Sequence, residues 1–212
     1  MRQEQFVHEQ AQVGPYTVKV VTDDDLMNPR IDFDHFGSMI CFHRRYDLGD
    51  KHDMEIDDLK VLVKRPDVVA LPLFLYDHSG ITMSCKPFSC PWDSGQVGYI
   101  YVTHAQIKQE FGAKRITKKV IERARKLLVC EVETYDRYLT GRVYAFIVED
   151  SDGGHMDSCW GFYCKPEDVL KEGVSSARAM IKHEISKHLE KLRTYIKNRV
   201  PLDRREPCPI QS

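Results

Sequence analysis

Residues 41 to 53, CFHRRYDLGDKHD, hold two histidines, two arginines, three aspartates and a cysteine in thirteen positions. Such a set can grip an anion and move a proton. Guanidinium forks bind a phosphate or carboxylate at two points, and an imidazole beside them titrates near neutral pH. SMICFH, 38–43, reads as a short strand, so His43 and Arg45 leave its end on one face and Arg44 on the other. LGD, 48–50, then turns the chain and returns His52 and Asp53 toward the strand end. The competing reading keeps Arg44 and Arg45 in local ion pairs with Asp47, Asp50 and Asp53.

Two further segments carry groups of the same kind. LYDHSGITMS ends a very apolar strand abruptly in Asp77 and His78, where rigid packing can position polar groups. PFSCPWDSGQVG, 87–98, offers Trp92, Asp93 and Ser94 in a loop stiffened by prolines. Asp93-Ser94-Gly95 can form a turn whose N–H groups face an anion. Trp92 either stacks on a base or fills a gap in the core. In an enzyme, His43 and His78 would act as acid and base, with Asp77 orienting a histidine or holding a divalent ion. As a binding site, Arg44, Arg45, His52, Trp92, Asp93 and Ser94 would hold the ligand.

No metal site is assigned. His43, His52, Asp77 and His78 are suitable ligand types, but no C-x-x-C pair and no H-E-x-x-H occurs, so a divalent ion enters only with the enzyme reading and no other cofactor is expected. Cys90 as a nucleophile lacks a nucleophile elbow. The cysteines of the predicted strands, Cys41, Cys159 and Cys164, are expected in the core.

The elements that must position these groups follow from periodicity. YTVKVVT, 16–22, is a β-branched strand, and 55–65 has helical spacing that Pro66 stops. VVALPLFLY, 68–76, is a buried central strand in which Pro72 implies an irregularity or an edge. ITMSCK returns antiparallel, and QVGYIYVT, 96–103, has Val97, Tyr99 and Tyr101 on one face. Further helix follows, with Thr117 capping a segment that reaches about Leu139. Its stripe includes Ala124, Leu128, Val132 and Tyr135. This segment is basic at its start and acidic at Glu131, Glu133 and Asp136, the reverse of what the helix dipole favours.

RVYAFIVED and MDSCWGFYC form a hairpin around SDGGH. From Pro166 the chain is helical, with a break near Gly173, and Ala177, Ile181, Ile185, Leu189, Leu192 and Ile196 make a long stripe. The expected fold is α+β: a mainly antiparallel sheet with helices on one face, plus a long C-terminal helix. The expected organisation is an N-terminal segment 1–15, a core domain 16–165, a helical extension 166–200 and a disordered tail 201–212.

Bulk properties exclude several classes. The composition, 42% hydrophobic and 30% charged over 212 residues, suits a globular chain with a sizeable core. A net charge of −1 gives no global field for nucleic acid or membrane. No apolar run approaches the roughly eighteen residues of a membrane span. MRQEQFVHEQAQ lacks the apolar stretch of a secretory signal, and seven irregularly spaced cysteines suggest reduced thiols, so a cytoplasmic protein is expected. The basic stretch 178–199 can follow a phosphate backbone or form the solvated face of a helix.

CFHRRYDLGDKHD, LYDHSGITMS, PFSCPWDSGQVGYIYVT, EVETYDRYLTG and SCWGFY together resemble a family of uncharacterised proteins from bacteriophages, plasmids and archaeal viruses. The resemblance covers roughly residues 16 to 164 and implies an intracellular accessory protein of a mobile genome. It carries no activity and no catalytic residue.

The leading expectation is therefore a protein that binds an anionic small molecule, a nucleotide by preference, and that could sequester a host signal. The alternatives are a nucleotide phosphodiesterase or other hydrolase, and a nucleic-acid or protein interaction module working through 178–199, with self-association open.

Overall fold

The computed structural model describes residues 6–199. The expected tail, 201–212, and Cys208 lie outside them. The fold is α+β with antiparallel pairing in two four-stranded sheets, and the chain divides into two compact units. Each unit is assembled from separated stretches of chain, where sequence pattern alone groups 16–165 together.

The first unit comprises 6–21, 145–159 and 166–199 of the described residues. Its sheet runs in the order β1 (Val7–Val13), β2 (Tyr16–Thr22), β7 (Tyr144–Glu149) and β8 (His155–Phe162). β1, which the sequence reading leaves in an N-terminal segment, pairs antiparallel with β2 from Val13↔Tyr16 outward. Its alternation in VHEQAQV is the signal for it.

The helix α4 (Pro166–Arg199) runs unbroken through Gly173. A Cβ there would come within 2.5 Å of Val18 Cγ1 and 3.0 Å of the Phe146 ring. Gly173 therefore lets the helix approach the sheet closely instead of breaking it. Tyr16 donates its hydroxyl to Glu184 at 2.6 Å, and Ser176 donates to Asp157 at 2.5 Å. The expected stripe is covered only in part. Ala177 is buried, whereas Ile185, Leu189, Leu192 and Ile196 are exposed.

The second unit comprises 22–144 and 160–165 and holds all three candidate segments. Its sheet has the order β3 (Ser38–Cys41), β6 (Ser94–Thr103), β4 (Val68–Asp77) and β5 (Ile81–Ser84). β4 pairs with β6 along its length but with β5 only from Phe74 to Asp77. Pro72 thus lies where the β5 side of β4 has no partner strand, so its missing N–H costs no ladder bond. On β6 the fully buried positions are Ile100 and Val102. Val97, Tyr99 and Tyr101 share the alternate face, where Val97 and Tyr99 border the short α1 (Ile56–Leu62).

On the face of Ile100 and Val102 lie α2 (His104–Phe111) and α3 (Lys118–Leu139), which contribute Ile107, Ala124, Leu128, Val132 and Tyr135 to one core. Thr117 caps α3 as expected, accepting from Val120 N at 3.3 Å. A capping box at Thr103 and Gln106 starts α2.

Behind the sheet end sits a buried charge cluster. Arg30, 5% exposed, donates Nε and Nη2 to the two Asp50 oxygens at 2.7 and 2.8 Å. Its Nη1 reaches Glu131 at 2.9 Å, and Nη2 also reaches the Gly37 carbonyl at 2.7 Å. Glu131 accepts from Phe36 N and Gly37 N, and Asp50 from Met39 N. Burial opposes the charge on Arg30, yet the two carboxylates outweigh it and hold its pKa above the ordinary value. Asp50 therefore belongs to Arg30, and the local pairing with Arg44 or Arg45 that the sequence allowed does not form.

Candidate functional site

Strand register brings the three candidate segments to one end of the second sheet. β3 pairs with β6 from Ser38↔Tyr101 to Cys41↔Gly98, and Phe42 N extends the ladder by donating to Val97 O at 2.7 Å. A Cβ on residue 98 would collide with the Ile40 carbonyl, so Gly98 permits this approach. Beyond Phe42 the chain leaves the sheet, and His43, Arg44 and Arg45 emerge at its edge. On the other side of β6, Tyr76 pairs with Ser94, and Asp77 N donates to Asp93 O at 2.8 Å. Asp77 and Asp93 are thereby fixed side by side, although sixteen positions separate them.

The hollow so formed is about 630 Å³. Phe42, Leu75 and Val97 supply apolar wall. His43, Arg44, Arg45, Asp77, Trp92, Asp93, Ser94, Gly95 and Gln96 supply the rest. Trp92 is 91% exposed, so the core alternative for it is overturned. The proline-rich loop holds the indole at the rim in solvent. Ser94 secures that loop by donating its hydroxyl to Cys90 O at 2.5 Å.

The charged groups are not equally available. Arg45 Nη2 pairs with Asp77 Oδ2, and the Tyr46 hydroxyl donates to Asp77 Oδ1 at 3.3 Å. Asp77 is thus already satisfied by two partners. Arg44 is exposed and makes no ion pair among the described residues. His43 stacks on Tyr46 with centroids 5.0 Å apart, and its Nδ1 accepts from Arg45 N at 3.3 Å. An accepting Nδ1 assigns the proton of the neutral ring to Nε2, which leaves Nε2–H as the ring's donor. His78 stands outside the lining but reaches it, with Nδ1 3.2 Å from Asp93 Oδ2. The Cys90 thiol donates to that same oxygen at 3.6 Å.

His52 does not join the set. Its Nε2 lies 3.0 Å from the Cys41 carbonyl, its Nδ1 accepts from Met54 N at 3.3 Å, and its ring meets Phe42 edge-on at 5.0 Å. Both nitrogens are spent holding the loop under Phe42, so His52 supports the wall from behind. Among the thiols, burial pushes Cys41 up to about 12 and Cys85 up to about 11, which leaves neither as a thiolate near neutral pH. Cys159, expected in the core, is exposed. Cys41, Cys85, Cys90 and Cys130 are free thiols.

Among the described residues, no group of three or more His, Cys, Asp or Glu side chains is arranged to hold a metal ion. No described helix is long and apolar enough to cross a membrane. Sequence reasoning missed Phe42, Leu75, Gln96 and Val97 as lining, and alternation along β4 and β6 could have found Leu75 and Gln96. No family model, curated protein or solved structure matches this chain.

Proposed function

We propose that the hollow at the end of the second sheet binds an anionic small molecule, a nucleotide by preference. The observation that carries this reading is the meeting of an exposed, loop-anchored indole with an unpaired guanidinium around one cavity of about 630 Å³. That volume falls within the range of roughly 300–1,000 Å³ of small-molecule sites. Trp92 would stack on the base, Arg44 would take the phosphate, and His43 Nε2–H would complete the donors. Ser94 and Gly95 lie in β6, paired with Tyr76 and Leu75, so the turn of N–H groups expected at 93–95 does not form. Arg45, already neutralised by Asp77, would hold the rim and contribute less charge. The resemblance to proteins of bacteriophages, plasmids and archaeal viruses supplies a setting: a cytoplasmic accessory protein that sequesters a host nucleotide signal.

Calorimetry and thermal shift with mono-, di- and cyclic nucleotides test this. Saturable heat and a raised Tm, both lost in Arg44→Ala, are expected. No response to any nucleotide at millimolar concentration would remove the reading.

The His78–Asp93 pair favours a second reading, a hydrolase in which Asp93 orients His78 as the base. Turnover of the same nucleotides, abolished by His78→Ala with binding retained, would select it over simple binding.

A further inference from the structure

The strongest unused charge in the second unit lies on α3, away from the hollow. The exposed side of its first half presents Lys118, Lys119, Arg123, Arg125 and Lys126 against one carboxylate, Glu122. The preceding turn adds exposed Lys114 and Arg115. None of these cations makes an ion pair among the described residues. A shallow depression of about 570 Å³ runs between Lys118, Lys119, Glu122, Arg123 and Lys126.

The second half of the same helix is built oppositely. Glu131 is taken up by Arg30, Phe36 N and Gly37 N, and Asp136 by Thr82, Met83 N and Arg142. The fold therefore uses Glu131 and Asp136 and leaves the cations of the first half to solvent, except that Arg123 rests over the Phe111 ring at 4.4 Å. Their placement also runs against the helix dipole: the first turn has no acidic residue and begins with two lysines. Apart from the Arg123–Phe111 contact, no contact among the described residues accounts for this arrangement. A polyanion on the surface would.

We infer that this face of α3 with the turn before it is a nucleic-acid backbone interface, in which lysine and arginine side chains meet successive phosphates along one strand. The net charge of −1 makes the attraction local to basic patches such as this one, with no field from the whole chain behind it. With no aromatic side chain on the exposed arc of Lys118–Lys126 to stack a base, contact is to phosphate and insensitive to sequence. The inference is independent of the nucleotide pocket.

Fluorescence anisotropy with a labelled oligonucleotide, single-stranded and duplex, tests it on the full chain. Three to five phosphate contacts predict that log K falls with log salt at a slope of about −3 to −4.5 on duplex. The double variant Lys118→Glu/Lys119→Glu should weaken binding at least tenfold, at every sequence tried, while its Tm holds or rises because acidic groups at the helix start complement the dipole. One control should bind like the parent: Lys187→Glu/Lys191→Glu on α4. No binding at low salt overturns the inference. So does loss through the α4 variant, which would move the interface there. Equal affinity for anionic lipid vesicles and oligonucleotide would likewise overturn it, as the signature of a general anion surface.

Discussion

Two of the arginine–aspartate groupings in the second unit flank β3, and they differ in almost everything except residue type. At Arg30 the guanidinium is buried and its donors end on Asp50, Glu131 and the Gly37 carbonyl, while the acids accept backbone N–H groups as well. At Arg44 and Arg45 the side chains are exposed, one pairs with Asp77, and the other has no ion partner among the described residues. Saturated and desolvated, the first grouping can only hold structure, because freeing any donor would strand a buried charge. Hydrated and half-used, the second can exchange partners with a ligand at small cost. Availability separates a site from a scaffold, and availability depends on what surrounds the charges.

The largest effect should come from the buried side. Arg30→Met leaves Asp50 and Glu131 facing each other without a counter-charge, and urea unfolding should show a loss of about 3–5 kcal/mol. A loss under about 1 kcal/mol would place Arg30 in the class of surface pairs. Next, on the exposed side, Trp92→Ala should leave unfolding within about 0.5 kcal/mol of the parent. The same variant should weaken nucleotide affinity by about 1–3 kcal/mol in calorimetry, the worth of one stacked base. A destabilised variant with unchanged affinity would reverse the assignment of that side chain.

Cys41, between the two groupings, gives an alkaline test. Its folded pKa is raised to about 12 from 9.0, so above the unfolded value the unfolded chain loses a proton that the folded chain keeps. The contribution is intact below about pH 9 and declines as pH rises toward 12. Stability should therefore fall by about 1 kcal/mol between pH 8 and pH 10 from this thiol alone. Denaturation curves of Cys41→Ala should lack that increment; an identical pH slope would mean that the thiol is reachable by water. The smallest effect belongs to Arg45→Ala, which should cost about 0–1 kcal/mol and less as salt is added. A cost as large as that of Arg30→Met would show that the Asp77 pair is structural.

Much of the architecture was legible because it is periodic. The β-branched alternation of 16–22, the α3 stripe from Ala124 to Tyr135 and the turn residues of SDGGH each act over a few neighbours, and each formed as read. Gly173 misled, since a glycine inside a helix signals a break or a close approach equally well, and only Val18 and Phe146 decide which. The α4 stripe misled for a related reason: spacing defines an apolar face but cannot supply the surface that covers it. Within the candidate set, His43, Arg44, Arg45, Asp77, Trp92, Asp93 and Ser94 meet around one hollow, while His52 is drawn under Phe42 by the Cys41 carbonyl.

By itself, the sequence determined which segments carry reactive side chains and which strands and helices present them, because those preferences arise from local sterics and from burial at fixed periods. Tertiary structure alone decided which aspartate each arginine meets. Asp50 lies five and six positions from Arg45 and Arg44 along the chain but bonds to Arg30, twenty positions away, which also holds Glu131 a further eighty-one along. Charges pair with whatever the packed backbone brings within about 3 Å in a low-dielectric setting, and chain separation carries no record of that distance.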